Sequence, residues 1–391
     1  MSGRKEYFES YDGRKCDYWR RFTNNSIIVS IDIEKFQTKR SKSKKENLKF
    51  QNHILEILIK ESKRCFRGKV AVEFLFKINQ MNPPAIQSLL KHYIDLIQSP
   101  EEEIKTNRKY LLIKDDSQIK ALSAHYHEIK ISERQNLTMT IIPFRDFVLN
   151  LEFARDIECG KFKELTKSSY REGFNINEKK YNDWEYEDNS LFKGLVIDLN
   201  GRKLDFYEFC KDVRQEEFKK DLLHETSKIS AGDILWLITP DQLFKSDKLS
   251  FSTNIIGRVG VLDGFFNMNF GSVPVSDGER KIFKDKIESE IIKWWADNGK
   301  RLLPKNPAIS LSLFYEKPCA KTHDLDNLLR YVLPIFDRLI NNERYFKTLP
   351  YVEIYEIQTI SSNIDTGNLY LRINDYSSDN IFRRIQSLIR E

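Results

Sequence analysis

Two carboxylates one residue apart, Asp324 and Asp326, occur in the run His323-Asp324-Leu325-Asp326-Asn327-Leu328-Leu329-Arg330, where a strand pattern and a loop give way to a helical pattern. At such a turn both side chains can converge on one hard cation. Magnesium takes oxygen ligands and is usually held by one or two carboxylates together with water and phosphate oxygens. The same spacing also suits a plainer purpose, with Asp324 as a helix cap and Asp326 as a favourable charge at the positive end of the helix dipole. A second acidic pair, Asp115-Asp116, sits in Lys114-Asp115-Asp116-Ser117-Gln118-Ile119. Paired Asp before a strand is also a common turn signal. His323, next to Asp324, is placed to touch a phosphate.

Basic residues accompany these acids. Lys35, Lys39, Arg40, Lys42, Lys44 and Lys45 fall in one stretch, interrupted by Ser41 and Ser43, while Lys281, Lys284 and Lys286 lie on an expected helix over residues 279–295. Both sets would contact backbone phosphates without reading base sequence. The first stretch reads equally well as a solvated charge run. The chain carries 64 Lys and Arg against 58 Asp and Glu, a net charge of +6, which permits nucleic-acid binding without establishing it.

The elements that must position these residues follow from periodicity. A chain of 391 residues suits two or three domains, each able to bury a core. Its five cysteines (Cys16, Cys65, Cys159, Cys210, Cys319) are scattered and never spaced as CxxC. Neither a disulfide framework nor a zinc knuckle is expected, and the expected setting is reducing and cytoplasmic. No stretch is apolar enough to span a membrane, and the charged start of the chain does not read as a leader. Alternating patterns predict strands at residues 26–33, 69–78, 110–113, 125–131 and 137–142, with amphipathic helices at 48–65 and 86–97. A comparable order returns with strands at 255–262, 308–315, 351–360 and 369–373 and helices at 279–295 and 323–339. The expected fold class is therefore mixed α/β. Between these stretches the chain is rich in charge and aromatics, with an acidic aromatic cluster at Trp184 to Tyr186 that a partner protein would fit.

The recurrence has the form of an internal duplication. An offset of 239 lays Val70, Val72, Phe74 and Phe76 on Ile309, Leu311, Leu313 and Tyr315, and Leu89-Leu90-Lys91 on Leu328-Leu329-Arg330. Further along, an offset of 227 lays Lys120-Ala121-Leu122 on Lys347-Thr348-Leu349 and brings Asp116 onto Glu343. The expected organisation is an N-terminal extension (1–25), a first module (26–145), a middle insert or linker, mostly helical or irregular (146–254), and a second module (255–391).

The order strand, Asp-Leu-Asp-Asn, Leu-Leu-Arg helix, acidic pair and strand resembles the RusA family of Holliday-junction resolvases. That family couples a D-L-D-N-hydrophobic-hydrophobic-Lys helix to a later Asp-Asp that opens the next strand. The resemblance covers roughly residues 26–142 and 255–373, and the two parts of the signature fall in different copies. The first copy keeps Asp115-Asp116 but reads Ala85-Ile86-Gln87-Ser88 in place of the first motif. The second keeps Asp324-Leu325-Asp326-Asn327, has Asn342-Glu343 at the acidic pair, and has Arg330 where the family has Lys, a swap that keeps charge but changes phosphate geometry.

The resemblance implies a Mg2+-dependent (or Mn2+-dependent) endonuclease acting on branched DNA in recombination, repair or antiviral defence, with two modules forming a pseudo-dimer. Two metal sites are open. One is self-contained, with Asp324, Asp326 and Glu343, and is preferred at this stage; in the other, Asp115 or Asp116 crosses from the first module to join Asp324 and Asp326. Arg330 would offset charge on the phosphate. Family members work as homodimers with two equivalent sites, whereas this chain offers one, so one nick per binding event is expected unless it dimerises further. The competing expectations are a branched-DNA-binding protein that has lost catalysis, and another carboxylate-metal enzyme such as a nucleotidyl or glycosyl transferase, for which no glycine-rich phosphate loop is present.

Overall fold

The computed structural model describes residues 7–39, 43–79, 83–158, 162, 195–197, 203–205, 268–274, 277–299, 307–315, 323–342, 349, 351–358, 368–375 and 381–390. The expected strand at 255–262, Arg40, Lys42, Glu343, Trp184 to Tyr186 and nearly all of the expected insert lie outside the described residues. What the insert contributes to the description is residues 146–158, which are helical, residue 162, and a short antiparallel pairing of Leu195–Ile197 with Lys203–Asp205.

The chain begins with helix α1 (Tyr11–Asn25) and continues as β1 (Ile27–Asp32), α2 (Lys44–Lys60), β2 (Val70–Ile78), α3 (Ile86–Leu96), β3 (Ile119–Glu128), β4 (Asn136–Pro143) and α4 (Phe144–Glu158). The second half supplies β5 (Met268–Ser272), α5 (Asp277–Trp294), β6 (Pro307–Tyr315), α6 (Leu325–Asn342), β7 (Tyr351–Gln358), β8 (Asn368–Asp375) and α7 (Ile381–Arg390). From β1 to α4 and from β5 to α7 the order of elements is the same.

All eight of these strands form one mixed sheet in the order β1-β4-β2-β3-β7-β6-β8-β5. In each half one pair is parallel, β2 with β3 and β6 with β7, as a strand–helix–strand crossover requires. The halves meet where β3 runs antiparallel to β7. Leu122 pairs with Ile354 there, and the flanking pairs Ala121–Tyr355 and Ser123–Glu353 exchange with one another under a twofold rotation about that centre.

This register corrects the offset expected for the third strand. Val72 pairs with Leu122 and its counterpart Leu311 pairs with Ile354, so Leu122 corresponds to Ile354, an offset of 232 rather than 227. The three-residue match at 347–349 precedes β7 and cannot fix a register. Ladder hydrogen bonds and inside–outside alternation do fix one, because a slip would move every side chain to a different neighbour or face.

Helices cover both faces, and each face has its own core. Helices α2, α3, α5 and α6 pack over one face through Ile54, Leu58, Leu89, Leu90, Ile287, Ile291, Leu329 and Phe336, all buried. Helices α1, α4 and α7 cover the other through Tyr18, Phe147, Leu151, Phe382, Ile385 and Ile389. Helix α4 starts at Phe144 and packs on β2 and β4, so the module boundary expected at 145/146 falls inside it. The rings of Phe147 on α4 and Phe382 on α7 lie 4.8 Å apart, which ties the halves together behind the sheet.

A further correction concerns residues 110–113, expected as a strand. Leu111, Leu112 and Ile113 are fully buried, but the backbone N–H groups of Leu111 and Leu112 donate to the carbonyls of Gln98 (2.7 Å) and Ile97 (2.9 Å), just past the end of α3. The segment satisfies its buried polar groups against a helix end instead of a strand. No described helix is long and apolar enough to cross a membrane.

Candidate metal centre and adjoining cleft

Asp115 and Asp116 are placed by a short 3-10 turn (Asp116–Gln118) that opens β3. Asp115 caps it, its Oδ1 accepting from Ser117 N at 2.9 Å. The Gln118 side chain pins the turn by accepting from Lys114 N (2.7 Å) and donating to the Gly68 carbonyl (2.7 Å). The capping expected of a paired Asp is thus carried by Asp115 alone, which leaves the Asp116 carboxylate turned towards α3.

Asp324 immediately precedes α6, and its backbone carbonyl accepts from Asn327 N at 3.1 Å. Its carboxylate is bonded to the Asn327 side chain (Oδ2 to Nδ2, 3.1 Å). Asp326, in the first turn of α6, has a side chain only 2% exposed. Its Oδ2 lies 3.0 Å from Lys91 Nζ, an ion pair not directed along a good hydrogen-bond angle, and no better-directed donor reaches that oxygen among the described residues.

The four acids meet because of the central strand pairing. Since β7 runs antiparallel to β3 and parallel to β6, the edge where β6 and β7 end, and from which α6 sets out, is the edge where β3 begins. Ligand oxygens of Asp115, Asp116 and Asp324 lie within 4.8 Å of one another. Asp326 joins them through Lys91, which sits 3.0 Å from both Asp116 and Asp326 and 3.3 Å from Asp95. The structure therefore brings together the acids of the two motifs across the halves. The register of 232 is fixed within the paired strands, and Glu343, the expected third ligand of the self-contained site, lies outside the described residues.

Three carboxylates surround one ammonium, and Asp115 and Asp324 lie beside them. Burial pushes the Asp324 carboxyl up to about 6, helped by the charges of Asp116, Asp326 and Asp115 and opposed by Lys91. Burial also raises Asp326, with Lys91 opposing. For Lys91 burial acts downwards, but Asp326 and Asp116 outweigh it and the ammonium is held well above its ordinary range.

Beside the acids opens a cleft of about 320 Å³ lined by Arg280 and Lys284 from α5, Arg330 from α6, and His323, Asp324 and Asn327. The His323 imidazole is pushed down from its ordinary value by burial and then by Arg280 and Lys120. Of the basic residues singled out in the sequence, Lys284 lines this cleft. Lys286 instead donates to the Phe270 carbonyl (2.8 Å), and Lys281 is exposed. In the first half Lys39 pairs with Asp95 (2.9 Å) and Lys44 with Glu103, exposed pairs that hold their lysines only weakly. Lys35 and Lys45 are exposed.

Sequence reasoning passed over Lys91 and Arg280. Lys91 had a signal, because the duplication aligns it with Arg330, but its partners are 25 and 235 residues away in the chain. Arg280 had none beyond lying one helical turn before Lys284. A scan against family models, a search of curated proteins and a search of solved structures each return no match for this chain.

Proposed function

We propose that the chain is a divalent-metal-dependent endonuclease of RusA-like type, acting on branched DNA in the cytoplasm, its two halves forming a pseudo-dimer with one composite metal site. The observation that carries this reading is the meeting of Asp115 and Asp116 from one half with Asp324 and Asp326 from the other, beside a cleft lined by cations. The donor set fits the group: Asp115, Asp116 and Asp324 offer carboxylate oxygens within 4.8 Å of one another, and Asp326 adds a buried oxygen beside them without a well-directed donor. Asp116, Asp324 and Asp326 would hold Mg2+ or Mn2+, which when bound supplies Lewis-acid activation of the phosphate and of water.

The chain's own residues do the remaining work. Asn327 holds the Asp324 carboxylate through its side-chain amide. Gln118 fixes the turn that carries Asp116. Lys91 holds Asp116 and Asp326 together through ion pairs of 3.0 Å, and Arg330 and Lys284 offset negative charge on a phosphodiester drawn against the acids. At the twin position, Ala85 and Gln87 replace the carboxylates, and Gln87 Nε2 donates to Asp337 Oδ2 at 2.9 Å, so the reading assigns one cutting site per chain.

A second reading, a branched-DNA-binding protein without catalysis, is favoured by Lys91, whose ammonium already neutralises two of the acids. Cleavage of labelled linear, flapped and four-way DNA with Mg2+ or Mn2+ separates the two. The expected result is cutting by the wild type that is abolished by Asp326→Asn and by Asp116→Asn alike. Cutting that survives Asp116→Asn would return the site to the second half alone, and binding to branched DNA with no cutting would establish the second reading.

A further inference from the structure

We propose that the cleft beside Asp324 is a phosphate subsite built by the second half alone, which anchors one nucleic-acid strand through a terminal phosphate or through two successive backbone diesters. The inference rests on the nuclease reading for its biological sense, while its ligand class follows from the cleft's own charges. Arg280 and Lys284 lie four residues apart, on one face of α5, and Arg330 faces them from α6, so among the described residues three cations and one carboxylate, Asp324, line the cleft. One backbone diester carries one negative charge. A dianionic terminal phosphate or two adjacent diesters match the excess better.

The cleft is shaped as well as charged. Lys284 Nζ rests 4.5 Å from the centre of the Tyr331 ring, a cation–π contact that holds the ammonium at the rim before a ligand arrives. Arg330 offers a planar fork suited to phosphate oxygens. A volume of about 320 Å³ lies at the small end of ligand pockets and accommodates a nucleotide. In the first half the counterpart of Arg330 is Lys91, which is held among Asp95, Asp116 and Asp326 and so faces the acids.

The test uses the full chain in EDTA, with fluorescent short single strands carrying a 5′-phosphate, a 3′-phosphate or neither, read by anisotropy, and with inorganic phosphate as competitor. The double variant Arg280→Gln/Lys284→Gln should bind at least about tenfold more weakly and flatten the dependence of log affinity on log salt by roughly one to two. Lys60→Gln/Lys105→Gln, which removes the same two charges at exposed positions, controls for net charge. If a terminal phosphate strengthens binding and the gain vanishes in the double variant and under inorganic phosphate, the cleft takes strand ends. If all three strands bind alike and the double variant weakens them equally, it takes successive diesters. An Arg280→Gln/Lys284→Gln protein that binds no more weakly than the Lys60→Gln/Lys105→Gln control overturns the proposal. Because binding is read without metal, absence of cleavage would count against the nuclease reading and leave this result standing.

Discussion

Lys91 on helix α3 of the first half places its Nζ 3.0 Å from Asp326 Oδ2 on helix α6 of the second. The offset of 239 lays Lys91 on Arg330 and Gln87 on Asp326, so the ion pair joins two residues whose aligned positions differ in kind. A buried carboxylate whose partner is removed is left as an uncompensated charge.

Lys91→Met should therefore destabilise the metal-free protein by about 2–4 kcal/mol. Chemical denaturation in EDTA checks this, and repeating it with Mn2+ should recover more stability in the variant than in the wild type, since a cation takes over the role of the ammonium. Equal midpoints for the two proteins in EDTA would mean that Lys91 is not the counter-ion of the cluster.

Asp324 sets a pH dependence of definite sign. Folded, its carboxyl holds a proton up to about pH 6, whereas its ordinary value is 3.8. Between those values the folded state binds the extra proton, so this group's contribution is present in full below pH 3.8 and is lost as pH rises through 6. In chelator at pH 7, Asp324→Asn should be more stable than wild type by about 1–2 kcal/mol, after discounting for partial exposure. The gain should close below pH 4. Metal addition at pH 6 should release protons and reverse the order of stability; a gain independent of pH would contradict this assignment.

One composite site predicts nicks and not double-strand breaks. With Mn2+ and supercoiled plasmid, open circles should accumulate first, and linear product should appear only through later independent events. Linear DNA at the earliest times, from protein shown to be monomeric, would require a second active centre at Ala85 and Gln87, where no carboxylate stands.

Behind the sheet, Phe382 packs on Phe147 and clamps α7 to α4. Phe382→Ala should cost about 3–5 kcal/mol of stability, the range for removing a buried aromatic ring. Measured in the fraction still folded, phosphate binding in the cleft on the opposite face should keep its wild-type affinity.

The helices over the site face were legible because their apolar residues recur at helical spacing on long, amphipathic segments, as in α3 with Ile86, Leu89, Leu90, Tyr93 and Ile94. The three helices of the opposite face were missed. Helix α4 follows β4 with no turn between Pro143 and Phe144, so no punctuation separates strand from helix. In α1 charged residues surround the buried Tyr18, and in α7 arginines sit between Phe382 and Ile385. Each of these helices owes its place to the sheet and to its neighbours more than to its own pattern.

By itself the sequence determined that the chain alternates strands and helices, that it repeats an offset of 239 through β2 and α3, and that its acidic motifs lie at Asp115-Asp116 and Asp324-Asp326. It also showed that neither copy holds both motifs. Only the tertiary structure decided that the two motifs share one place. The deciding step is the antiparallel pairing of β3 with β7 around Leu122 and Ile354, a contact between segments more than two hundred residues apart. Strand register depends on hydrogen bonds to a partner that local periodicity does not name. The same pairing brings Lys91 to Asp326, replaces the offset of 227 with 232, and leaves Ala85 and Gln87 at a twin position without a carboxylate.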